Sequence, residues 1–309
     1  MVLSRSSTTA RDPLSDVLDV LGAHVARLTR MEAGGSWAFA FPLANRLKFV
    51  AVLDGEQWML VPGQPRCRMK AGDVCLIGRT PYVVASDPER EPEEGTSLYP
   101  ESGSDLARVN SGDGVAAIGG SIAFPDENGD FLLDLLPGFL LVERGARASS
   151  AIAAVLDLIG SEFRRDAMGS DIVAARLADV LVIEALRALS DDGDRSRTGW
   201  LGAISDPRLG RALRAVHRDL AAPWTVAALA EVAGMSRAAF SAAFSRHVGR
   251  PPLAYLRYWR LTLARTLLRK GTATVDEVAR RVGYTSQSAF ANAYRHAFAT
   301  TPRSRSPVA

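Results

Sequence analysis

One pattern occurs twice in the last third of the sequence. Thr225-Val-Ala-Ala-Leu-Ala-Glu-Val-Ala-Gly-Met-Ser-Arg-Ala-Ala-Phe240 returns as Thr274-Val-Asp-Glu-Val-Ala-Arg-Arg-Val-Gly-Tyr-Thr-Ser-Gln-Ser-Ala-Phe290. The offset is 49 residues up to the glycine and 50 after it, so the second copy carries one extra residue in its turn. Each copy reads as helix, tight turn, helix. Ala230 and Ala279 are small where the two helices must approach closely, and Gly234 and Gly283 follow the first helix, where a left-handed cap suits glycine. Ser236 and Ser286 are placed to cap the second helix, and Thr274-x-x-Glu277 has the spacing of a capping box. Together these features form the signature of a helix-turn-helix.

The second helix of each copy has two faces. Phe240 and Phe244 lie one turn apart, as do Phe290 and Tyr294, and these are expected to face the core of each copy. The opposite stripe holds Arg237, Ala238, Ser241, Ala242 and Ser245 in the first copy. In the second it holds Gln287, Ser288, Ala291, Asn292 and Arg295, and neither stripe has an acidic residue. A helix that enters the major groove of double-stranded DNA needs such a stripe: Asn and Gln pair with adenine, Arg with guanine, and small methyl-bearing side chains meet thymine methyls. Between the copies, residues 252–268 read as a helix of about 25 Å, long enough to hold two reading helices roughly one duplex turn apart. On it, Arg257, Arg260 and Arg265 suit either phosphate contact or solvation.

Charge divides the chain in the same place. Residues 196–309 carry 18 Lys+Arg against 5 Asp+Glu, net +13, while residues 1–195 carry 19 against 29, net −10. A basic lobe joined to an acidic one is the electrostatic footprint of a chain in which one half meets a polyanion. Arginine outnumbers lysine 34 to 3, which suits forked contacts to phosphate and guanine, although the bias runs through the whole chain. The 309 residues, 47% hydrophobic and 23% charged, suggest about two folded domains. The longest apolar run, residues 131–142, is too short for a bilayer and is broken by Asp134 and Pro137. The first twenty residues lack the apolar core of a secretory signal. Two cysteines, Cys67 and Cys75, cannot make a disulfide scaffold. A cytoplasmic protein with no membrane partner is expected.

Residues 1–12 and 304–309 read as tails and 191–205 as a polar linker. Leu14, Val17, Leu18, Leu21 and Val25 share one face of a short helix that starts at Asp12-Pro13. Segments 36–41, 47–53 and 57–61 are rich in aromatic and branched residues. Asp54-Gly55, Pro62-Gly63 and Ala71-Gly72-Asp73 punctuate this region, the pattern of hairpins in a small all-β unit. Residues 86–105, with seven acids and three prolines, read as an exposed loop. Strands resume around 114–124, and helices are expected over 149–165 and 170–189. In the second of these, Ile172, Leu177, Leu181, Ile183, Leu186 and Leu189 make an apolar surface wider than one covered stripe, so a partner helix is expected. Residues 149–190 are therefore read as a dimerisation segment, with Leu177, Leu181 and Leu186 as contacts in a homodimer. Trp37, Phe39, Trp58 and Tyr82 suit either an effector pocket or an aromatic core. Cys67 and Cys75, on either side of a turn at 70–73, suit either a thiol switch or two buried strand cysteines.

Residues 206–303 resemble the DNA-binding domain of AraC-type (AraC/XylS) transcriptional regulators, including the Gly249-Arg-Pro-Pro-x-x-Tyr-Leu-x-x-x-Arg260 passage. The chain departs from the family at Phe298-Ala299, where Phe-Gly is usual, and Thr301-Pro302 keeps part of the closing pattern. By position, the family's base-reading residues fall on Arg237, Ala238, Ser241 and Ala242, and on Gln287, Ser288, Ala291 and Asn292. Residues 13–190 are similar to the cupin-type sensing domain of one branch of the family. The similarity is best at Leu53-Asp-Gly55, at Ala71-Gly-Asp-Val-Cys-Leu-Ile77 leading to Arg79-Thr-Pro-Tyr82, and at 131–141. Cupins commonly place metal-binding histidines near positions 50 and 82, where this chain has Val50 and Tyr82. The resemblance thus implies a metal-free barrel used for sensing or dimerisation.

The expectation is an α+β chain of two domains. Residues 13–148 form an N-terminal cupin-like β-barrel with helices, extended by the 149–190 segment. Residues 206–303 form a C-terminal all-α domain with two helix-turn-helix units joined by a central helix. Such a chain is expected to be a sequence-specific DNA-binding transcriptional regulator with a small-molecule effector, no catalytic residue and no cofactor. RNA polymerase is a further partner if it activates. The alternatives are a thiol-based redox sensor using Cys67 and Cys75, and a cupin enzyme fused to a DNA-binding module.

Overall fold

The computed structural model describes residues 12–102, 104–125, 128–145, 149–165, 167–190 and 199–303. In chain order the elements are α1 (Pro13–Leu21), β1 (His24–Ala33), β2 (Ala38–Phe41), β3 (Leu47–Leu60), β4 (Cys67–Lys70), β5 (Val74–Ile77), β6 (Tyr82–Ala85), β7 (Glu93–Glu94), β8 (Leu106–Val109), β9 (Val115–Ala123), α2 (Gly129–Leu133) and β10 (Phe139–Val142). Then come α3 (Ser149–Arg165), α4 (Ser170–Ser190), α5 (Trp200–Ser205), α6 (Leu209–Arg218), α7 (Val226–Ala233), α8 (Arg237–Val248), α9 (Pro252–Lys270), α10 (Val275–Arg281) and α11 (Gln287–Phe298). They separate into two compact units, one of residues 23–202 and one that joins residues 1–22 to 203–309. The tail at 1–11, the tail at 304–309 and most of the linker read at 191–205 lie outside the described residues.

The first unit is a curled sheet with strand order β7-β2-β6-β3-β9-β1-β8, in which β5 pairs with β3 and β10, and β4 with β3. Its backbone is β3. Asp54-Gly55, expected as a hairpin turn, does not reverse the chain: β3 runs through both residues. A register shift against β9 lies between Val52 and Asp54, and Gly55 takes φ 73°. A Cβ on Gly55 would sit 2.2 Å from the Gly114 carbonyl oxygen, so the close approach needs glycine. The bulge lets one strand pair with β5 at Lys48–Ala51 and with β4 at Glu56–Met59, and so curls the sheet around its core. Met31, Val50, Val52, Met59, Met69 and Val84 fill that core, each buried side chain contributing about 1.5–3 kcal/mol.

The acidic stretch at 86–105 is mostly exposed, but Glu93 and Glu94 pair in parallel with β2. Helices α3 and α4 stand where the sequence places them. α4 packs on β1 and β10, and the Val25 amide donates to Asp179 Oδ1 at 2.6 Å.

The second unit is all helical among the described residues, and it includes α1. Asp12 caps that helix by accepting from the Ser15 amide, Pro13 opens it, and Gly22 at φ 62° ends it. The stop at Gly22 leaves Val25, expected on the helix face, in β1. Leu14, Val17 and Leu21 are buried, and the helix packs on α6 and α9. The sequence reading, which starts the sensing domain at residue 13, differs here: the apolar face of α1 finds its partner among the C-terminal helices.

Candidate nucleic-acid interface

The two copies of the repeat fold alike down to single hydrogen bonds. Thr225 caps α7 by accepting from the Ala228 amide, and Ser236 caps α8 through Ala239. Thr274 and Ser286 do the same for α10 and α11 through Glu277 and Ala289. Glu277 also reaches back to the Thr274 amide at 2.8 Å, completing the capping box. Those bonds to Thr274 hold the Glu277 carboxyl below its usual range. After the first helix of each copy, the Met235 and Tyr284 amides donate to the Ala230 and Ala279 carbonyls, both at 2.9 Å. These are the six-to-one bonds of a Schellman cap. Ala230 and Ala279 are buried at the helix crossing, as the sequence requires.

α9, 19 residues and about 28 Å long, serves both copies. Its first half brings Tyr255 edge-on to Phe244, beside Phe240. Its second half gives Leu261, Ala264 and Leu268 to a core with Val278, Ala279, Phe290 and Tyr294. Arg260 sits between the two halves and does not behave as a phosphate contact. Its Nε donates to the Leu220 carbonyl at 2.9 Å and its Nη2 to the Ala222 carbonyl at 2.7 Å. Burial pulls its pKa below the ordinary guanidinium value. Gly283, at φ 82°, rests on the same segment: a Cβ there would lie 2.8 Å from both the Ala221 oxygen and Arg260 Nη2. Of the other arginines on α9, Arg265 lies over the Phe298 ring at 4.8 Å, and Arg257 is exposed.

With Phe240, Phe244, Phe290 and Tyr294 turned inward, the opposite faces of α8 and α11 look outward. Arg237, Ala238 and Ala242 are exposed, and Ser241 and Ser245 are half-buried. Gln287, Ser288, Asn292 and Arg295 are exposed, with Ala291 half-buried. Arg295 Nη2 donates to Asn292 Oδ1 one turn away, so these two positions are coupled before any ligand arrives.

A helix-turn-helix domain family model matches residues 229–304, and a cupin family model matches residues 12–191. A putative AraC-like transcription regulator of Streptomyces antibioticus is 36% identical over 94% of this chain and 97% of its own length. The chain belongs to the AraC-like transcriptional regulators. A second putative AraC-like transcription regulator, from Streptomyces lividans, is 34% identical over 94% of this chain and 96% of its own. Among solved structures, ToxT from Vibrio cholerae is similar at 13% identity and TM-score 0.34, covering 91% of this chain and 94% of its own. This AraC-like chain is thus a DNA-binding transcriptional regulator with a cupin-like N-terminal unit, and the expected α+β organisation with two helix-turn-helix copies holds.

In this AraC-like regulator the curled sheet holds a partly open cavity of about 370 Å3. Val50 and Tyr82, the positions at which the cupin resemblance places metal-binding histidines, both line it. Among the described residues no group of three or more His, Cys, Asp or Glu is placed to hold a metal ion. Of the four aromatic residues expected around an effector, Tyr82 alone lines the cavity. Trp37 and Phe39 stack on each other at 6.0 Å within the packed core. Trp58 follows Gln57 on the strand and so faces out of the barrel, beneath the Arg68 guanidinium. Lys48 and Gln57, which do line the cavity, escape a search for aromatic residues. Period-two alternation along β3, with Lys48 in phase with Val50 and Val52, would have found the first.

The cysteines fit the second of their two readings, buried strand residues, whereas the apolar helix face differs from expectation. Cys75 is buried and Cys67 half-buried. Burial pushes both thiols above their ordinary range, which disfavours the thiolate a redox switch needs. Leu181 and Leu186, expected as dimer contacts, are 0% exposed within their own unit. They are buried in the packing of α4, which meets α3 as well as β1 and β10. Leu177 is half-buried, and the exposed apolar side chains of the pair are Leu158, Ile172, Val173 and Val180. No helix among the described residues is long and apolar enough to cross a membrane.

Proposed function

We propose that this regulator reads one face of a duplex by laying α8 and α11 into successive major grooves. Arg237 and Ser241 would read bases in the first groove, and Gln287 and Asn292 in the second, with Ala238, Ala242, Ser245, Ser288, Ala291 and Arg295 completing the contact. The observation that carries this reading is the pair of outward, acid-free stripes on two identically capped helices held by one central helix. The chain works in the cytoplasm as a regulator and not as an enzyme, in keeping with relatives named as transcription regulators. A small molecule held in the barrel is its effector. A homodimer forms through α4, where Val173, Leu177 and Val180 recur at helical spacing. Where it activates, RNA polymerase is a further partner.

The test is a gel shift with the DNA upstream of the chain's own gene against a scrambled duplex of equal composition. Selective binding that weakens steeply with salt supports the reading. Equal binding to both duplexes removes it.

A further inference from the structure

The barrel cavity has a one-sided chemistry. Three cationic side chains, Arg27, Arg46 and Lys48, line it, and no Asp or Glu does. Arg27 is already engaged, with Asp105 at 2.6 Å and the carbonyls of Tyr99 and Pro100 at 3.0 Å. Arg46 and Lys48 have no carboxylate within ion-pair distance among the described residues, and they repel each other. The Lys48 ammonium instead lies 5.2 Å from the Tyr82 ring centroid and 5.9 Å from that of Phe41. Those two rings stack at 5.0 Å. Such contacts stabilise a cation less than a counter-ion does.

A second observation comes from the same strand. Gln57 is 1% exposed, lines the cavity, and has no hydrogen-bond partner for either Oε1 or Nε2. A buried amide left so is costly, and a ligand that offers both a donor and an acceptor removes the cost. The remaining wall is mostly apolar: Met31, Val50, Val84 and Ile118, with Gly119 leaving the β9 side open. A cavity of about 370 Å3 is of a size that holds small organic molecules.

We propose that the cavity binds a small organic carboxylate with an apolar body, its charge held by Lys48 and Arg46 and a hydroxyl or carbonyl on its body held by Gln57. This rests on reading the barrel as the sensing unit. A cationic ligand would meet two uncompensated positive charges. A polyhydroxylated neutral ligand would face aliphatic wall where it needs hydrogen bonds. Burial and the neighbouring Arg46 both hold the Lys48 pKa below its ordinary value, so a bound anion relieves a strain already present.

The experiment is calorimetric titration of the full chain with naphthoate, its neutral isostere naphthamide, and hydroxynaphthoate. Naphthoate is expected to bind at least ~10-fold more tightly than naphthamide. The double variant Arg46→Met/Lys48→Met should bring the two together, and Gln57→Leu should erase the advantage of hydroxynaphthoate over naphthoate. Gly119→Val should abolish binding of all three, since a Cβ there meets its neighbours only at 3.4 Å and beyond and the added methyls enter the cavity. Melting curves confirm that each variant is folded. Equal binding of acid and amide, a preference that survives Arg46→Met/Lys48→Met, or no binding at ~1 mM overturns the proposal. Naphthoate binding that leaves the DNA affinity unchanged supports the site and removes the sensing role. A neutral ligand that alters DNA affinity while carboxylates do not bind removes the site's chemistry and leaves the sensing role.

Discussion

His217 on α6 and Asp16 on α1, 201 positions apart in the chain, meet at 2.6 Å between Nδ1 and Oδ2. The other ring nitrogen lies 2.7 Å from the Tyr255 hydroxyl on α9, so one imidazole joins three helices. Its side chain has no solvent exposure, while that of Asp16 is 23% exposed. His217→Ala is expected to destabilise by about 2–4 kcal/mol, through the lost bonds and the cavity beside Trp259. Asp16→Ala should cost about 1 kcal/mol. Urea unfolding of both and of the double variant should give a combined loss smaller than the sum; strict additivity would mean that the two do not act as a pair.

Arg260 and Gly283 form a second joint, between the segment after α6 and the turn of the second repeat. Arg260→Lys keeps the charge but loses the fork that reaches two carbonyls, and should cost about 1–3 kcal/mol. Gly283→Ala adds a clash to a left-handed backbone and should cost at least as much. Equilibrium unfolding checks both, and a neutral Gly283→Ala would contradict the close approach described.

Ala299 ends α11 in the left-handed region at φ 53°, its amide donating to the Arg295 carbonyl at 2.9 Å. This is the position at which the family resemblance leads one to expect glycine. Ala299→Gly should therefore raise stability, by about 0.5–1 kcal/mol after the greater freedom of glycine in the unfolded chain is counted. A lowered melting temperature would argue against strain there.

Asn292 and Arg295 are bonded to each other, so their effects on DNA cannot be separate. Asn292→Ala should cost about 1–3 kcal/mol at one base position. Arg295→Ala should reduce the salt dependence and also relax discrimination at that same position, because it frees the Asn292 carbonyl. Binding to duplexes with single base changes, at two salt concentrations, reads both. Arg295→Ala with unaltered base preference would show that the bond plays no part in reading.

Val180, 42% exposed on α4, is the centre of the proposed dimer face. Val180→Glu should convert a dimer at micromolar concentration into a monomer in sedimentation, without lowering the melting temperature of the unit. A variant that stays dimeric moves the interface elsewhere.

The helical repeat was legible in the sequence because everything that defines it is local. The caps at Thr225, Ser236, Thr274 and Ser286, the small residues at Ala230 and Ala279, and the inward aromatics at four-residue spacing are all set within one or two turns. The barrel was less so. Asp54-Gly55 has the composition of a hairpin turn, and only the pairing of β3 with four other strands decides that it is a bulge instead. The apolar face of α1 announced burial but not its partner, which lies two hundred residues on. The breadth of the apolar surface on α4 predicts a partner helix, and α3 supplies one within the same unit, with Leu181 and Leu186 buried there and so unable to serve as dimer contacts. Arg260 looked like any basic residue on a helix, since nothing nearby in the sequence reveals which carbonyls it will meet.

Because α1 belongs with the C-terminal helices, the polypeptide visits that body first and last, and the whole barrel is an insertion between two of its parts. Hydrolysis at one site in the barrel would leave two fragments still clasped through Leu14, Val17 and the imidazole of His217. Conversely, a DNA reader excised by a single cut before α6 comes away short of one helix, with a bare apolar seam where it lay.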